Sequence, residues 1–315
     1  DVAPSRGLGD VYKRQGHIIT DLKETFRRGN IFIQLIYINV SIFIIGTLIN
    51  VFLQLFQHSI PDIFGIFALP ASFIRFFHQP WSIITYMFMH AGLLHILFNM
   101  LWLYWFGSLF LHFFSAKHLR GLYILGGILG GLLYMVAYNV FPLFNQEVAV
   151  STLVGASASV LAIVAATAYR EPNYRVQLFL FGAIRLKYLA LVVIGIDVLS
   201  ITSSNAGGHI AHLGGALAGL WFATSLSKGA DLTAWINWLL DAFISLFQKK
   251  TWKHKPKMKV HYGGGTTSRE KDYDYNAHKK AQSDEIDRIL DKLKKSGYDS
   301  LTTEEKKSLF DASKR

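Results

Sequence analysis

The 315-residue chain contains no cysteine, which excludes a disulfide framework and any thiolate-ligated metal and leaves the redox compartment undefined. Charge is scarce as well. Asp, Glu, Lys and Arg make up 17% of residues, against 51% hydrophobic and 14% aromatic, and mean hydropathy is positive, a balance that a soluble domain of this size seldom shows. Acidic groups are the rarer sign, 21 against 32 basic, for a net charge of +11. The chain has no HExxH pair and no convincing internal repeat, which argues against a helix-borne zinc protease and against the paired architecture of many transporters.

Apolar runs dominate instead. Stretches of about twenty residues, the length that crosses a hydrocarbon core of about 30 Å, fall near residues 31–55, 91–114, 119–143, 148–168, 188–204 and 208–227. They are continuous rather than alternating, and backbone polar groups within lipid must be satisfied inside the segment, so they read as helices and not as barrel strands. The expected fold is all-α: a polytopic membrane protein with a six-helix bundle over residues 31–227.

The basic residues are distributed as a membrane topology demands, not as a nucleic-acid surface. Arg6, Lys13, Arg14, Lys23, Arg27 and Arg28 precede the first run, Lys117 and Arg120 lie between the second and third, and Arg170, Arg175, Arg185 and Lys187 between the fourth and fifth. These loops belong on the cytoplasmic side, and the opposite loops hold little positive charge apart from Arg75. Six crossings place both termini in the cytoplasm. Residues 1–30 read as a cytoplasmic segment with no cleavable signal, of which the first fifteen lack an initiator Met and read as truncated or foreign.

Beyond the bundle, residues 228–276 join an amphipathic stretch carrying Trp235, Ile236, Trp238, Leu239, Leu240, Phe243 and Leu246 to a Lys-rich tether with Trp252 and the flexible run Gly263 to Ser268. The stretch suits the membrane surface or the side of the bundle. In residues 277–315, Ile286, Ile289, Leu290, Leu293, Leu301, Leu309 and Phe310 recur at helical spacing among charges, with Thr302-Thr303-Glu304-Glu305 as a helix start. A small two-helix cytoplasmic element is expected.

Polar groups inside apolar spans are costly and tend to mark functional interiors. His90, His95 and Asn99 mark the second run, Ser157 the fourth, and His209 and His212 the sixth. All three runs enter from the non-cytoplasmic side, so at 1.5 Å per residue Ser157 and His212 share a layer roughly 5 to 15 Å deep. Ser157 and Ser159 project to nearly opposite sides of a helix, so only one can face His212. A serine paired with a histidine base is the arrangement a weak hydroxyl nucleophile requires. No acid lies near His212 in sequence, so a dyad is expected rather than a triad, and Asp197 in the fifth run is expected to pair with a neighbouring polar group. His95 and Asn99, four apart, share a face and suit donation to an oxyanion. The His209 and His212 pair lacks a carboxylate or thiolate companion in sequence, so no metal or other cofactor is expected.

These residues resemble the rhomboid family of intramembrane serine proteases over residues 35–227, through His95-Ile96-Leu97-Phe98-Asn99, Gly155-Ala156-Ser157, and the stretch from Gly207 through Ala211-His212 to Gly215 and Gly219. The resemblance implies Ser157 as nucleophile and His212 as base, an oxyanion hole from His95, Asn99 and the Ser157 amide, and supporting roles for Gly155, His90, Gly215 and Gly219. It further implies six helices around a shortened fourth, a wet cavity open to the outside, and a first loop over residues 57–89, with Pro61, Pro70 and Pro80, lying partly in the outer leaflet. The implied substrates are transmembrane proteins in the surrounding bilayer, cleaved with no cofactor, and the implied location is a bacterial plasma membrane. Three positions depart from the pattern: Ala158 replaces a Gly, Ser82 follows Trp81 where an Arg is usual, and Leu161 stands where a Tyr is expected against the histidine. The competing expectation is a rhomboid-like protein that binds membrane proteins without cleaving them.

Overall fold

A computed structural model describes residues 26, 29–56, 63–178, 182–247 and 267–313, which divide into two compact units, residues 1–249 and 250–315. The expected N-terminal segment up to Gln15, its basic residues, Pro61, and the Lys-rich and glycine parts of the tether lie outside the described residues.

In the first unit, α1 (Ile31–Leu55) leads into a connection that contains α2 (Ile63–Phe67), β1 (Leu69–Pro70), α3 (Phe73–His78) and α4 (Ser82–Thr85). Then come α5 (Leu93–Phe110), α6 (Ala116–Val140), β2 (Thr152–Leu153), α7 (Ser157–Arg170), the hairpin β3 (Arg175–Leu178) and β4 (Gly182–Arg185), α8 (Leu186–Leu199), α9 (Ala206–Ser227) and α10 (Ala234–Phe247). The all-α expectation holds, since the only strands among the described residues are two short antiparallel pairs. By length and composition, α1, α5, α6 and α9 can each cross a membrane.

Local sequence sets where these helices begin. The Ser115 hydroxyl accepts the His118 N–H while the His118 ring accepts the Ser115 N–H, a reciprocal cap that starts α6. The fourth run behaves differently from its hydropathy. Helix was expected near 148–168 but begins only at Ser157 and lasts 14 residues, because Thr152 and Leu153 pair with Pro70 and Leu69, and Gly155 adopts φ +130°. A hydropathy window cannot register that pairing with a distant loop. The fifth helix ends at Leu199, short of its expected 204, where a run of turns leads to α9.

The core is built where small residues allow backbones to meet. A Cβ on Gly215 would overlap the Ala158 carbonyl, and one on Gly219 the Ala162 carbonyl, so α9 lies directly on α7. On another side of α7, a Cβ on Gly126 would fall 2.5 Å from the Ala162 methyl, and one on Gly130 would fall 2.6 Å from the Ala158 methyl. α7 is therefore clasped between α6 and α9, and Ala158 through Ala168 are all buried. The outer helices show the opposite character: Ile44, Ile45, Leu48 and Phe52 of α1, and Leu191, Val192, Ile196 and Leu199 of α8, are exposed apolar residues suited to lipid. The amphipathic stretch forms α10 and packs on α6, where Asn237 accepts from Arg120 at 2.9 Å and donates to the Lys117 carbonyl at 3.0 Å.

The second unit contains α11 (Thr267–Ser296) and α12 (Thr303–Ser313). Thr302 and Glu305 cap α12 reciprocally, and Lys292 reaches the Glu305 carboxylate at 2.9 Å over buried Ile289 and Leu301.

Candidate functional site

Ser157 is the first residue of α7, and no side chain caps that end. The N–H groups of a first helical turn have no partner inside the helix and carry the positive end of its dipole, so Ser157 presents a hydroxyl and an unengaged amide together. The approach to Ser157 is anchored from both sides. The Gly155 N–H donates to the Tyr86 carbonyl at 2.9 Å, and the Tyr134 hydroxyl donates to Ser151 at 2.9 Å. Ser159, two residues on, is fully buried with its hydroxyl unpartnered, whereas Ser157 lines a cavity of about 190 Å³.

His212 of α9 lines the same cavity, with Asn99, Phe98, Trp102 and Leu161. A volume of that size holds a few waters or a small side chain. The Ser157 hydroxyl and the His212 ring are not hydrogen-bonded to each other in this arrangement, and bonds of this kind commonly tighten only when substrate enters.

The absence of a carboxylate partner for His212, expected from sequence, does not hold. Asp197 of α8 is buried, and its Oδ1 lies 2.8 Å from Nδ1 of His212 and 2.8 Å from Nδ1 of His209. A carboxylate accepts, so His212 Nδ1 carries the proton and Nε2 keeps the lone pair. The sequence signal was an acid in an apolar helix that had to find a partner. What concealed the pairing was the turn between α8 and α9, which brings positions fifteen residues apart face to face.

His95 and Asn99 lie on α5. The Ala91 N–H donates to His95 Nδ1 at 3.3 Å, which leaves the ring proton on Nε2. The Cε1–Nε2 edge of the ring lies near the serine: a Cβ on Gly155 would lie 2.9 Å from both of those His95 atoms and 3.6 Å from Ser157 Oγ. Glycine is required at 155 both by φ and by this approach. Asn99 uses its amide nitrogen to hold the His95 carbonyl at 2.8 Å and borders the cavity. His90 is buried edge-on to the His95 ring at 5.2 Å, with both nitrogens unpartnered. Of the three departing positions, Ala158 touches α9 through the glycine contact already described, Leu161 borders the cavity, and Ser82 is buried away from it with no partner for its hydroxyl.

The apolar bundle thus brings together a serine, an imidazole and a carboxylate from three different helices. Residues 78–229 match the Rhomboid domain, and residues 269–315 match a family of unknown function (DUF6576). Residues 78–229 form a domain of the rhomboid family, and the chain is an integral membrane protein. It is 29% identical over 157 residues to RHOMBOID-like protein 12, mitochondrial, of Arabidopsis thaliana, covering 47% of this chain and 47% of that protein. Over 139 residues it is 30% identical to Presenilin-associated rhomboid-like protein A, mitochondrial, of Danio rerio, covering 43% of this chain and 34% of that one. The chain thus spans less than half the length of either relative.

Proposed function

We propose that the protein is an intramembrane serine endopeptidase that cleaves peptide bonds in or near transmembrane segments of other membrane proteins. The observation that carries this reading is that Ser157 and His212 border one cavity, with Nδ1 of His212 fixed on Asp197. Ser157 Oγ attacks the substrate carbonyl while its proton passes to His212 Nε2. Asp197 accepts from Nδ1–H throughout and stabilises the imidazolium that forms. The Ser157 amide, His95 Nε2–H and an Asn99 amide hydrogen receive the developing oxyanion, the largest single contribution in acyl transfer of this kind. His212 then protonates the leaving amine, and a water it deprotonates releases the acyl group from Ser157.

The test is reconstitution in proteoliposomes with single-span transmembrane substrates and mass analysis of the products. Cleavage by the wild type and none by Ser157→Ala supports the reading. A Ser157→Ala variant that retains whatever the wild type does to its clients supports the non-catalytic binder instead.

The proposed orientation puts both termini and the Arg- and Lys-bearing loops in the cytoplasm of a bacterial cell, with the cavity opening across the plasma membrane. The absence of cysteine makes this directly testable. A thiol introduced by Asn173→Cys should be shielded from an impermeant reagent in intact cells, and one introduced by Gln146→Cys labelled; both positions are exposed. The reverse pattern refutes the orientation.

A further inference from the structure

His209 has no part in the proposed reaction, yet it converges with His212 on Asp197. One ring nitrogen of each histidine and a carboxylate oxygen lie within 4.8 Å of one another, supplied by two positions one turn apart on α9 and one on α8. The Asp197 side chain is only 4% exposed, and one of its oxygens, Oδ1, serves both rings while the other, Oδ2, is buried with no partner at all. Two neutral imidazoles donating to one carboxylate leave a net negative charge and an unsatisfied oxygen in a low-dielectric interior, which is costly unless a cation compensates. The histidines are partly open, at 19% and 23% side-chain exposure, near the end of α9 that begins at Ala206, so an ion has a route in.

We propose that Asp197, His209 and His212 form an inhibitory site for a divalent transition-metal ion of the Zn²⁺ class. The donor set of two imidazole nitrogens and one carboxylate, with a fourth position free, suits Zn²⁺ and its neighbours and is poorly matched to Mg²⁺ or Ca²⁺, which favour oxygen ligands. Bonds of about 2.0–2.2 Å require donors about 3.3 Å apart in a tetrahedral site. The two 2.8 Å nitrogen-to-oxygen separations need to open by about half an ångström, the two ring nitrogens, within 4.8 Å, must settle at the same spacing, and the unpartnered Oδ2 is available if the carboxylate turns. Inhibition follows from the tautomer. When the ion takes His212 Nδ1, the single proton of the neutral ring resides on Nε2, and the lone pair that would accept the Ser157 proton is gone. No proton is gained or lost by the ring.

The inhibitory half of this proposal rests on the serine-protease reading and the binding half does not, so the two are measured separately. The full-length chain, purified without a histidine tag, is titrated with Co²⁺ and followed by the visible absorption of a four-coordinate site. The wild type and Ser157→Ala should both show the band at one equivalent and lose it on addition of Zn²⁺, while Asp197→Asn and His209→Gln should not show it. Glutamine at 209 retains a hydrogen-bond donor for Asp197, which keeps the comparison valid should Asp197→Asn fail to fold. Fluorophosphonate labelling of the wild type should slow at least tenfold under saturating Zn²⁺, recover with chelator and ignore Mg²⁺; His209→Gln, compared with itself with and without Zn²⁺, should show no such loss. Absence of the Co²⁺ band, or its survival in His209→Gln, overturns the site. A band with unchanged labelling overturns the inhibition, and a band in a protein that never labels at Ser157 overturns the protease reading while the site stands.

Discussion

Gly215→Ala places one methyl group where the structure has least room for it. The new Cβ would overlap the carbonyl oxygen of Ala158, a backbone atom that no rotamer change can move aside. α7 and α9 must separate by about 1 Å to relieve it, since close-packed interiors have no slack to absorb such an overlap. Overpacking of this type costs about 1–3 kcal/mol of stability. The larger consequence falls on the site, because Ser157 immediately precedes Ala158 on one helix and His212 lies one turn before Gly215 on the other. A misplacement of about 1 Å between reacting groups costs on the order of 100-fold in rate. The assay is the rate of fluorophosphonate labelling in detergent, run beside a thermal melt. Gly195→Ala in α8 is the control, because a Cβ there meets nothing within 4 Å. Gly215→Ala should lose roughly two orders of magnitude in labelling rate while Gly195→Ala stays close to wild type. Wild-type labelling by Gly215→Ala, or equal losses in the two variants, would refute the idea that helix contact at Ala158 sets the site geometry.

Asp197→Asn keeps the shape of the side chain but no longer requires a proton on His212 Nδ1; labelling should fall by roughly 10²-fold or more, and a variant within twofold of wild type rules out the orienting role. Asn99→Ala should reduce turnover of a transmembrane substrate by about 10²-fold with little change in the melting temperature, whereas an equal loss in stability would mark Asn99 as structural. In the second unit, the Thr302 N–H and then the Lys292 ammonium hold the Glu305 carboxyl below the usual carboxylate range. The stabilisation is therefore fully present above the ordinary glutamate value and is lost as pH falls through the lower folded one. Hydrogen exchange over residues 303–313 of the full chain should accelerate through that acidic range, and Glu305→Gln should reproduce the effect at neutral pH. Protection that persists unchanged to about pH 3 contradicts it.

How much of this was legible in the sequence depends on the range of the signal. Long apolar runs gave α1, α5, α6 and α9 within a few residues, because length and hydropathy are local properties. The start of α7 was not legible in hydropathy, although the resemblance implied a shortened fourth helix, since it depends on Thr152 and Leu153 pairing with a loop some eighty residues earlier and on the φ of Gly155. The short helices and turns between residues 63 and 88 were likewise unreadable; they are held by contacts such as Trp81 Nε1–H to the Ile66 carbonyl at 2.9 Å. Ser157, His212, His95 and Asn99 stood out as polar side chains in apolar company, and depth arithmetic put the serine and the base in one layer. Asp197 stood out for the same reason, but periodicity cannot tell which face of a neighbouring helix an acid meets. Its partnership with both histidines emerged only from the turn between α8 and α9.

The most direct measurement is peptide mapping of the wild-type protein after reaction with a fluorophosphonate, with His212→Ala treated in parallel. The expected result is a single adduct on Ser157, none on Ser159, and loss of the adduct in His212→Ala. An adduct on Ser159, or undiminished modification of Ser157 without the imidazole, would contradict the pairing on which the proposed chemistry depends.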